Sequence, residues 1–251
     1  MKAGLRPRLE WVASLVYPRR CPLCDQLLGP DAAYGVFCSD CAGEQARLSH
    51  DPPRLPGTEH SFYALAGAAS PLYYTGMVRR AVLRCKLYGC PWYAREFADL
   101  IAVRVFGAEP AVPGRRPVFC NETGLPLYHL IVPIPARRRT LAPRMPRAMA
   151  LRLGAVLHLP VGEVLMTTRK LEEQKELDYH QRLQNTRGAY AVKPGTDLSG
   201  KRVLLVDDVI TSGATASACA QALLAAGAAE VFAVSAAVTE DLPSSKEKHG
   251  S

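Results

Sequence analysis

The sequence predicts an α/β protein: a mostly parallel sheet flanked by helices, with a small cysteine-rich unit ahead of it. Three observations predict it. Apolar strand-like runs alternate with helix-spaced patterns across residues 58–240. One of those runs, Val203–Val206, leads into two acids, a Thr-Ser-Gly bend and an Ala-rich helix. Ahead of them all, four cysteines fall in the pattern C-x2-C-x13-C-x2-C.

The elements follow in order. Residues 1–57 hold the four cysteines and end in the Pro-rich stretch DPPRLPG (51–57), which reads as a linker. Phe62–Ala66 and Pro71–Tyr74 read as short strands able to pair, and Met77–Lys86 follows. Ala94–Phe106 reads as a helix, because Phe97, Leu100, Ile101 and Val105 recur on one side. Residues 107–126 are rich in Gly and Pro and read as an irregular loop. Leu130–Ile134 is a strand ending in Pro-x-Pro, and Pro146–Leu157 is a helix with Met149, Leu153, Val156 and Leu157 at helical spacing. Gly162–Thr167 and Gly188–Val192 are strands on either side of the charged segment Leu171–Asn185. Arg202–Val206 is a strand, Thr215–Ala226 a helix closed by Gly227, and Val231–Ala237 the last strand. Residues 241–251 are polar and expected to fray. The expected division is therefore 1–57 as N-terminal helix and cysteine unit, 58–240 as the α/β domain, and 241–251 as a tail.

Composition sets limits on function. Apolar residues make up 48% and charged residues 22% of 251, the balance of an ordinary globular protein. Lys plus Arg exceed Asp plus Glu by 31 to 23. That excess favours anionic partners such as phosphates or nucleic acid, and equally describes a solvated basic surface. No apolar run approaches the ~20 residues of a membrane-spanning helix. The basic start lacks a long apolar core or a small-residue cleavage site. A cytoplasmic protein is expected, and its eight cysteines point to metal or free thiols over disulfides.

The segment Val203–Thr215 carries the strongest chemistry. Ligands of open parallel sheets bind beyond the carboxyl ends of the strands. There, the carboxylates of Asp207 and Asp208 can accept hydrogen bonds from ribose hydroxyls, directly or through metal-bound water. Thr211, Ser212, Gly213, Ala214 and Thr215 offer hydroxyls and backbone N–H groups at a helix N-terminus, a site for phosphate. Gly213 lacks a Cβ, which lets backbone approach an anion. The plainer reading is a strand end with two solvated acids and a helix cap.

Cys21-Pro-Leu-Cys24 and Cys38-Ser-Asp-Cys41 are spaced as two zinc knuckles. Together they supply four thiolates to one tetrahedral Zn²⁺, with no open position for catalysis. So short a segment builds little core, and the metal supplies folding energy. Redox C-x-x-C pairs are the alternative. Cys85, Cys90, Cys120 and Cys219 lack this spacing, and Cys219 reads as a small residue of the Ala-rich helix.

Val203–Thr215 resembles the phosphoribosyl pyrophosphate motif of type I phosphoribosyltransferases. The resemblance implies that fold, with a small hood over the sheet. It implies that Asp207 and Asp208 meet the ribose 2′- and 3′-hydroxyls, that Thr211–Thr215 hold the 5′-phosphate, and that Mg²⁺ accompanies the pyrophosphate. Joined to a Cys₄ ribbon, it resembles the ComF family of competence proteins over nearly the whole chain. Tyr74-Thr75-Gly76, Lys86-Leu87-Tyr88-Gly89 and Val132-Pro133-Ile134-Pro135 resemble stretches of that family. Arg169, Gln174, Leu177, Arg182, Asn185 and Gly188 follow its spacing, with Tyr190 close behind. The likeness implies DNA uptake in natural competence, with a helicase or other uptake protein as partner and single-stranded DNA as a further ligand. The basic surface is compatible with nucleic acid, although regular basic–aromatic alternation is missing. One departure stands out. Where the family reads Arg-Gly-Phe-Asn-Gln-Ala, this chain has Arg144-Met145-Pro146-Arg147-Ala148-Met149.

Pyrophosphate leaves with growing negative charge, which Lys and Arg stabilise. Lys86, Arg144 and the cluster Arg137-Arg138-Arg139 are the candidates. Leu171–Asn185 suits either a lid or an exposed charged helix, and its His180 either an acid–base group or a bystander. Two functions follow: an enzyme transferring phosphoribosyl to a nitrogen acceptor, or a non-catalytic module for phosphoribosyl pyrophosphate, nucleotide or single-stranded DNA.

Overall fold

The structure is a computed structural model. It describes residues 20–28, 37–48, 54–56, 62–88, 91–108, 127–135, 144–168 and 188–239. The expected N-terminal helix, Arg137–Arg139, Arg169, Leu171–Asn185 with His180, Cys90, Cys120 and the C-terminal tail lie outside those residues, as does 109–126 of the expected irregular loop.

In chain order the described elements are α1 (Ser39–Leu48), β1 (Arg54–Pro56), β2 (Gly67–Ala69), α2 (Gly76–Tyr88), α3 (Pro91–Phe106), β3 (Leu130–Pro133), α4 (Met145–Leu157), β4 (Leu165–Thr167), β5 (Tyr190–Val192), β6 (Arg202–Ile210), α5 (Ala214–Ala225) and β7 (Glu230–Val238). The main sheet has the order β1-β2-β7-β6-β3. The pairings β2–β7, β7–β6 and β6–β3 are parallel, and β1 is antiparallel at the edge. The α/β fold with a mostly parallel sheet is thus as the sequence predicts. β4 and β5 pair antiparallel as a separate two-stranded sheet.

Two apolar layers sandwich the sheet, and strand alternation decides which residue enters which. Leu204 and Val206 of β6 join the layer built with α2, α3 and α4, including Val82, Phe97, Ile101, Met149 and Leu153. Val203 and Leu205 join the opposite layer with Leu223, Cys219 and Ala220 of α5. Cys219 is fully buried there, as a small residue in an Ala-rich helix should be. Burying each large side chain such as Phe97 or Leu100 stabilises the fold by about 1.5–3 kcal/mol. A forked ion pair ties α4 to α3: Arg152 Nε and Nη2 donate to Asp99 Oδ1 and Oδ2 at 2.7 and 2.8 Å, with Asp99 almost completely buried.

Several boundaries differ from the sequence reading. The stretch read as a linker contributes β1, whose Arg54, Leu55 and Pro56 pair with Ala69, Ala68 and Gly67. The boundary at residue 57 therefore falls just after a strand of the main sheet. The strands expected at Phe62–Ala66 and Pro71–Tyr74 are replaced by Gly67–Ala69, which pairs with β7, and by a single bridge from Tyr73 to Val238. β2 consists of small residues, and at Gly67 a Cβ would sit 2.9 Å from the Phe232 ring. Met77–Lys86 lies within α2. No helix among the described residues is long and apolar enough to cross a membrane.

Candidate functional site

β6 is longer than its apolar run suggests. It continues through Asp207 and Asp208 to Ile210, with Asp207 opposite Ser235 and Val209 opposite Ala237 on β7. On its other side, pairing with β3 stops at Val206. The acids therefore lie within the strand, where it outruns its neighbour. Their carboxylates accept from the following backbone N–H groups: Asp208 N–H donates to Asp207 Oδ1, and Val209 N–H to Asp208 Oδ1, both at 2.8 Å. These bonds give two backbone donors at the strand's end a local partner.

Alternation sends the two acids to opposite faces. Asp208 shares the parity of Leu204 and Val206 and so meets the layer of α2. There Lys86, in the last turn of α2, places Nζ 2.9 Å from Asp208 Oδ1. Burial pulls the Lys86 ammonium toward neutrality. The charge and hydrogen bond of Asp208, then the charges of Asp207 and Tyr74, outweigh it and hold the lysine above its ordinary value. Asp207 has the parity of Val203 and Leu205. Beside it, buried Ser235 and Ser70 share a hydrogen bond, and Ser235 Oγ also donates to Ala237 O at 2.8 Å.

The bend Thr211-Ser212-Gly213 joins β6 to α5. Gly213 is the N-cap of α5, with φ of 72°, which a side chain would strain. A Cβ there would lie 2.3 Å from the Phe62 ring, which is itself buried. The side that the missing Cβ leaves open is thus filled by an aromatic ring. The sequence reading gave that space to an anion; the structure gives it to Phe62. Thr239 grips the bend from the other strand, its N–H donating to Ile210 O and its Oγ1 to Thr211 O, both at 3.1 Å. Thr211 is exposed, and Ser212 and Thr215 are half-buried.

Arg144 takes the N-cap position of α4, after the strand that neighbours β6. Burial lowers its guanidinium pKa from the ordinary value. Of the residues that replace the family's Gly-Phe-Asn-Gln-Ala, Met145 and Met149 are buried core, and Arg147 pairs with Glu163 at 2.6 Å.

The four cysteines converge. The sulfurs of Cys21, Cys24, Cys38 and Cys41 all lie within 4.8 Å of one another, Cys24 and Cys38 at 3.5 Å. Four soft sulfur donors at this separation suit one tetrahedral Zn²⁺, whose Zn–S distance is about 2.3 Å. Burial raises the Cys21 and Cys41 thiols. Burial also acts on Cys24, but the Gln26 backbone N–H and the neighbouring thiols outweigh it and lower that group. The first knuckle turns through Asp25, at φ of 72°. It is fastened to the helices: Arg84 Nη2 donates to Leu23 O at 2.7 Å, and Tyr93 hydroxyl donates to Asp25 Oδ1. The Arg84 guanidinium also lies 5.5 Å from the centre of the Tyr93 ring. Cys85 is a separate, buried core thiol.

Residues 130–249 match the phosphoribosyl transferase domain. The match runs from β3 onward and so takes in Arg144, Asp207, Asp208 and the bend. Lys86 reaches the matched segment from a helix outside its range. Solved structures resembling the chain include the glutamine phosphoribosylpyrophosphate amidotransferase of B. subtilis complexed with ADP and GMP, at 17% identity over 56% of this chain, with a TM-score of 0.32. This chain spans 30% of the length of that amidotransferase. TT1426 from Thermus thermophilus is 13% identical over 60% of this chain and 85% of its own, with a TM-score of 0.31. Adenine phosphoribosyl transferase from Trypanosoma brucei, in complex with AMP, pyrophosphate and ribose-5-phosphate, is 12% identical over 88% of this chain and 92% of its own, with a TM-score of 0.31. The search of curated proteins finds no match.

Sequence reasoning missed Phe62, Thr239, Arg84 and Tyr93. Each acts by packing or bonding to a segment distant in the chain. Only Arg84, two positions before Lys86, lay near a motif already singled out.

Proposed function

We propose that this chain binds phosphoribosyl pyrophosphate at the end of β6 and acts as a phosphoribosyltransferase. The observation that carries the reading is the order of strand, paired acids, bend and helix N-terminus over Val203–Thr215, with Lys86 at Asp208. In this reading Asp207 and Asp208 accept from the ribose hydroxyls, and Lys86 shares or yields Asp208 as the sugar arrives. Thr211, Ser212 and Thr215 hydroxyls and the first N–H groups of α5 hold the 5′-phosphate. Gly213 sets the shape of that cradle through its backbone, with Phe62 behind it.

A nitrogen acceptor, such as a nucleobase, forms a bond to the anomeric carbon while the carbon–oxygen bond to pyrophosphate breaks. The electron pair leaves with pyrophosphate, and the acceptor's N–H proton passes to solvent. The two carboxylates lie where positive charge builds on the ribose, and Lys86 and Arg144 supply charge of the opposite sign for the leaving group. The oxygen donors of Asp207 and Asp208 suit Mg²⁺, which neutralises the pyrophosphate when bound. Cys21, Cys24, Cys38 and Cys41 hold one structural Zn²⁺. The joining of a Cys₄ unit to a phosphoribosyltransferase domain supports a cytoplasmic role in DNA uptake during natural competence, beside a helicase or other uptake protein.

One observation favours a second reading, in which the site binds phosphoribosyl pyrophosphate, a nucleotide or single-stranded DNA without turnover. The family's Asn and Gln are replaced by Arg147, which pairs with Glu163, and by Ala148. Incubation with phosphoribosyl pyrophosphate, Mg²⁺ and a panel of bases, with pyrophosphate release as the readout, separates the two. Release supports transfer; binding without release leaves the second reading. Unchanged binding in Asp207→Asn/Asp208→Asn would sink the site assignment.

A further inference from the structure

Arg84 and Lys86 lie two positions apart near the C-terminal end of α2, with Lys86 in its last turn. At about 100° per residue they point to nearly opposite sides of the helix. Arg84 reaches the first cysteine knuckle. Its Nη2 donates to the carbonyl of Leu23, between the ligand candidates Cys21 and Cys24, and its Nη1 lies 4.0 Å from Asp25 Oδ2. Tyr93, in the first turn of α3, holds the same Asp25 and stacks under Arg84. Lys86 reaches the opposite way, to Asp208 on β6. One helical turn therefore joins the cysteine cluster to the acid pair, and the link consists of directed bonds at both ends.

We propose that Arg84 is a positioning residue that couples the cysteine-bound metal to the ligand site, so that zinc in the knuckle and phosphoribosyl pyrophosphate at Asp207–Asp208 each strengthen binding of the other. The inference rests on the function proposed above and adds regulation to it. A metal closing the four sulfurs fixes the carbonyl of Leu23 and the carboxylate of Asp25. Arg84 then has two fixed acceptors, and the end of α2 is held. With α2 held, Lys86 stands at Asp208 in the place where an incoming polyphosphate needs a cation. Without metal the knuckle is free to open, Arg84 loses its acceptors, and the terminal turn of α2, which has only partial internal hydrogen bonding, can fray. Coupling between two sites is reciprocal, and couplings of this kind run from about 5- to 150-fold.

The test uses the full-length zinc-loaded protein. Zinc affinity is measured by competition with a chromogenic chelator, with and without saturating phosphoribosyl pyrophosphate and Mg²⁺. Binding of phosphoribosyl pyrophosphate is measured by calorimetry on the same samples. In the wild type the ligand should tighten zinc by about 5-fold or more, and stripping zinc should weaken the ligand by the same factor. Arg84→Met keeps the apolar stem; it should still hold zinc and bind the ligand, but with the mutual effect reduced to less than 2-fold. Arg84→Lys, which keeps the charge but not the fork, should restore part of it. A merely structural arginine would shift both affinities or the melting temperature without abolishing their dependence on each other. Ligand binding in the wild type with zinc affinity unchanged overturns the coupling and leaves the proposed function intact. An undiminished mutual effect in Arg84→Met overturns the role of Arg84. Absence of ligand binding in the wild type overturns the proposed function, and the coupling with it.

Discussion

Lys86 holds Asp208 at 2.9 Å and so ties the last turn of α2 to β6. The pair raises the lysine above its ordinary value of 10.5. The sign of the pH dependence follows. A raised folded-state value means stability that is fully present below 10.5 and is lost as pH climbs through the folded value. The stability difference between wild type and Lys86→Met should therefore stay constant from neutral pH to the ordinary lysine value and shrink above it. Urea unfolding across that range checks this, and a difference that grows with alkalinity would contradict it. Both groups are partly exposed, so the difference should be small and reduced by salt.

Gly213→Ala tests the bend. A Cβ at φ of 72° costs about 1–2 kcal/mol in backbone strain. The same Cβ would overlap the edge of the Phe62 ring, and overpacking adds about 1–3 kcal/mol. Combining it with Phe62→Ala removes the overlap and leaves the strain, so the two substitutions should be less harmful together than their separate costs imply. Strict additivity in a double-mutant cycle by urea unfolding would show that the ring does not press on the bend.

Asp99→Ala removes the buried carboxylate that receives both bonds of the Arg152 fork. Breaking such a pair typically costs about 3–5 kcal/mol, whereas replacing both partners with apolar residues of similar volume is often neutral. Asp99→Ala should therefore lower stability by about that amount, and Asp99→Leu/Arg152→Met should recover most of it. Equal losses in both variants would indicate that shape at the α3–α4 contact, and not charge, sets the stability.

Much of this was legible because the signals are local. Val203–Val206 is an apolar run, so β6 could be located. The acids after it are polar, so its extension to Ile210 could not: those residues join the strand through pairing with β7, a partner the run does not reveal. The edge strand at Arg54–Pro56 was hidden in the same way, since the three prolines of residues 51–57 argue for a linker, and a strand can carry Pro56 only because it lies at the sheet's edge. The cysteine spacing foretold convergence of the four sulfurs, because each knuckle is a short-range geometry. The role of Gly213 was read in part. A glycine before a helix signals special backbone geometry, but nothing near it in the chain announces Phe62. Lys86 was found through a family likeness, and its partner follows from strand parity, which puts Asp208 and not Asp207 on the face of α2.

The cysteine cluster makes the last prediction. Purified protein should contain about one zinc ion per chain. Cys24→Ser and Cys38→Ser should each lose it, since their sulfurs lie 3.5 Å apart and three thiolates leave the shell incomplete. Cys85→Ala and Cys219→Ala remove buried thiols of the two apolar layers and should keep the metal, with only a modest loss of stability. Removing zinc should also do more than loosen the knuckles. Cys21, Leu23, Phe37 and Cys41 share one continuous apolar layer with Val82, Cys85 and Tyr93, so the helices lose packing when the cluster opens. Amide exchange after chelation should therefore speed up in α2 and the first turn of α3 as well as in the knuckles, while β6 and β7 stay protected. Zinc-free protein with unchanged exchange in all of these segments would show that the four sulfurs converge without a metal's help.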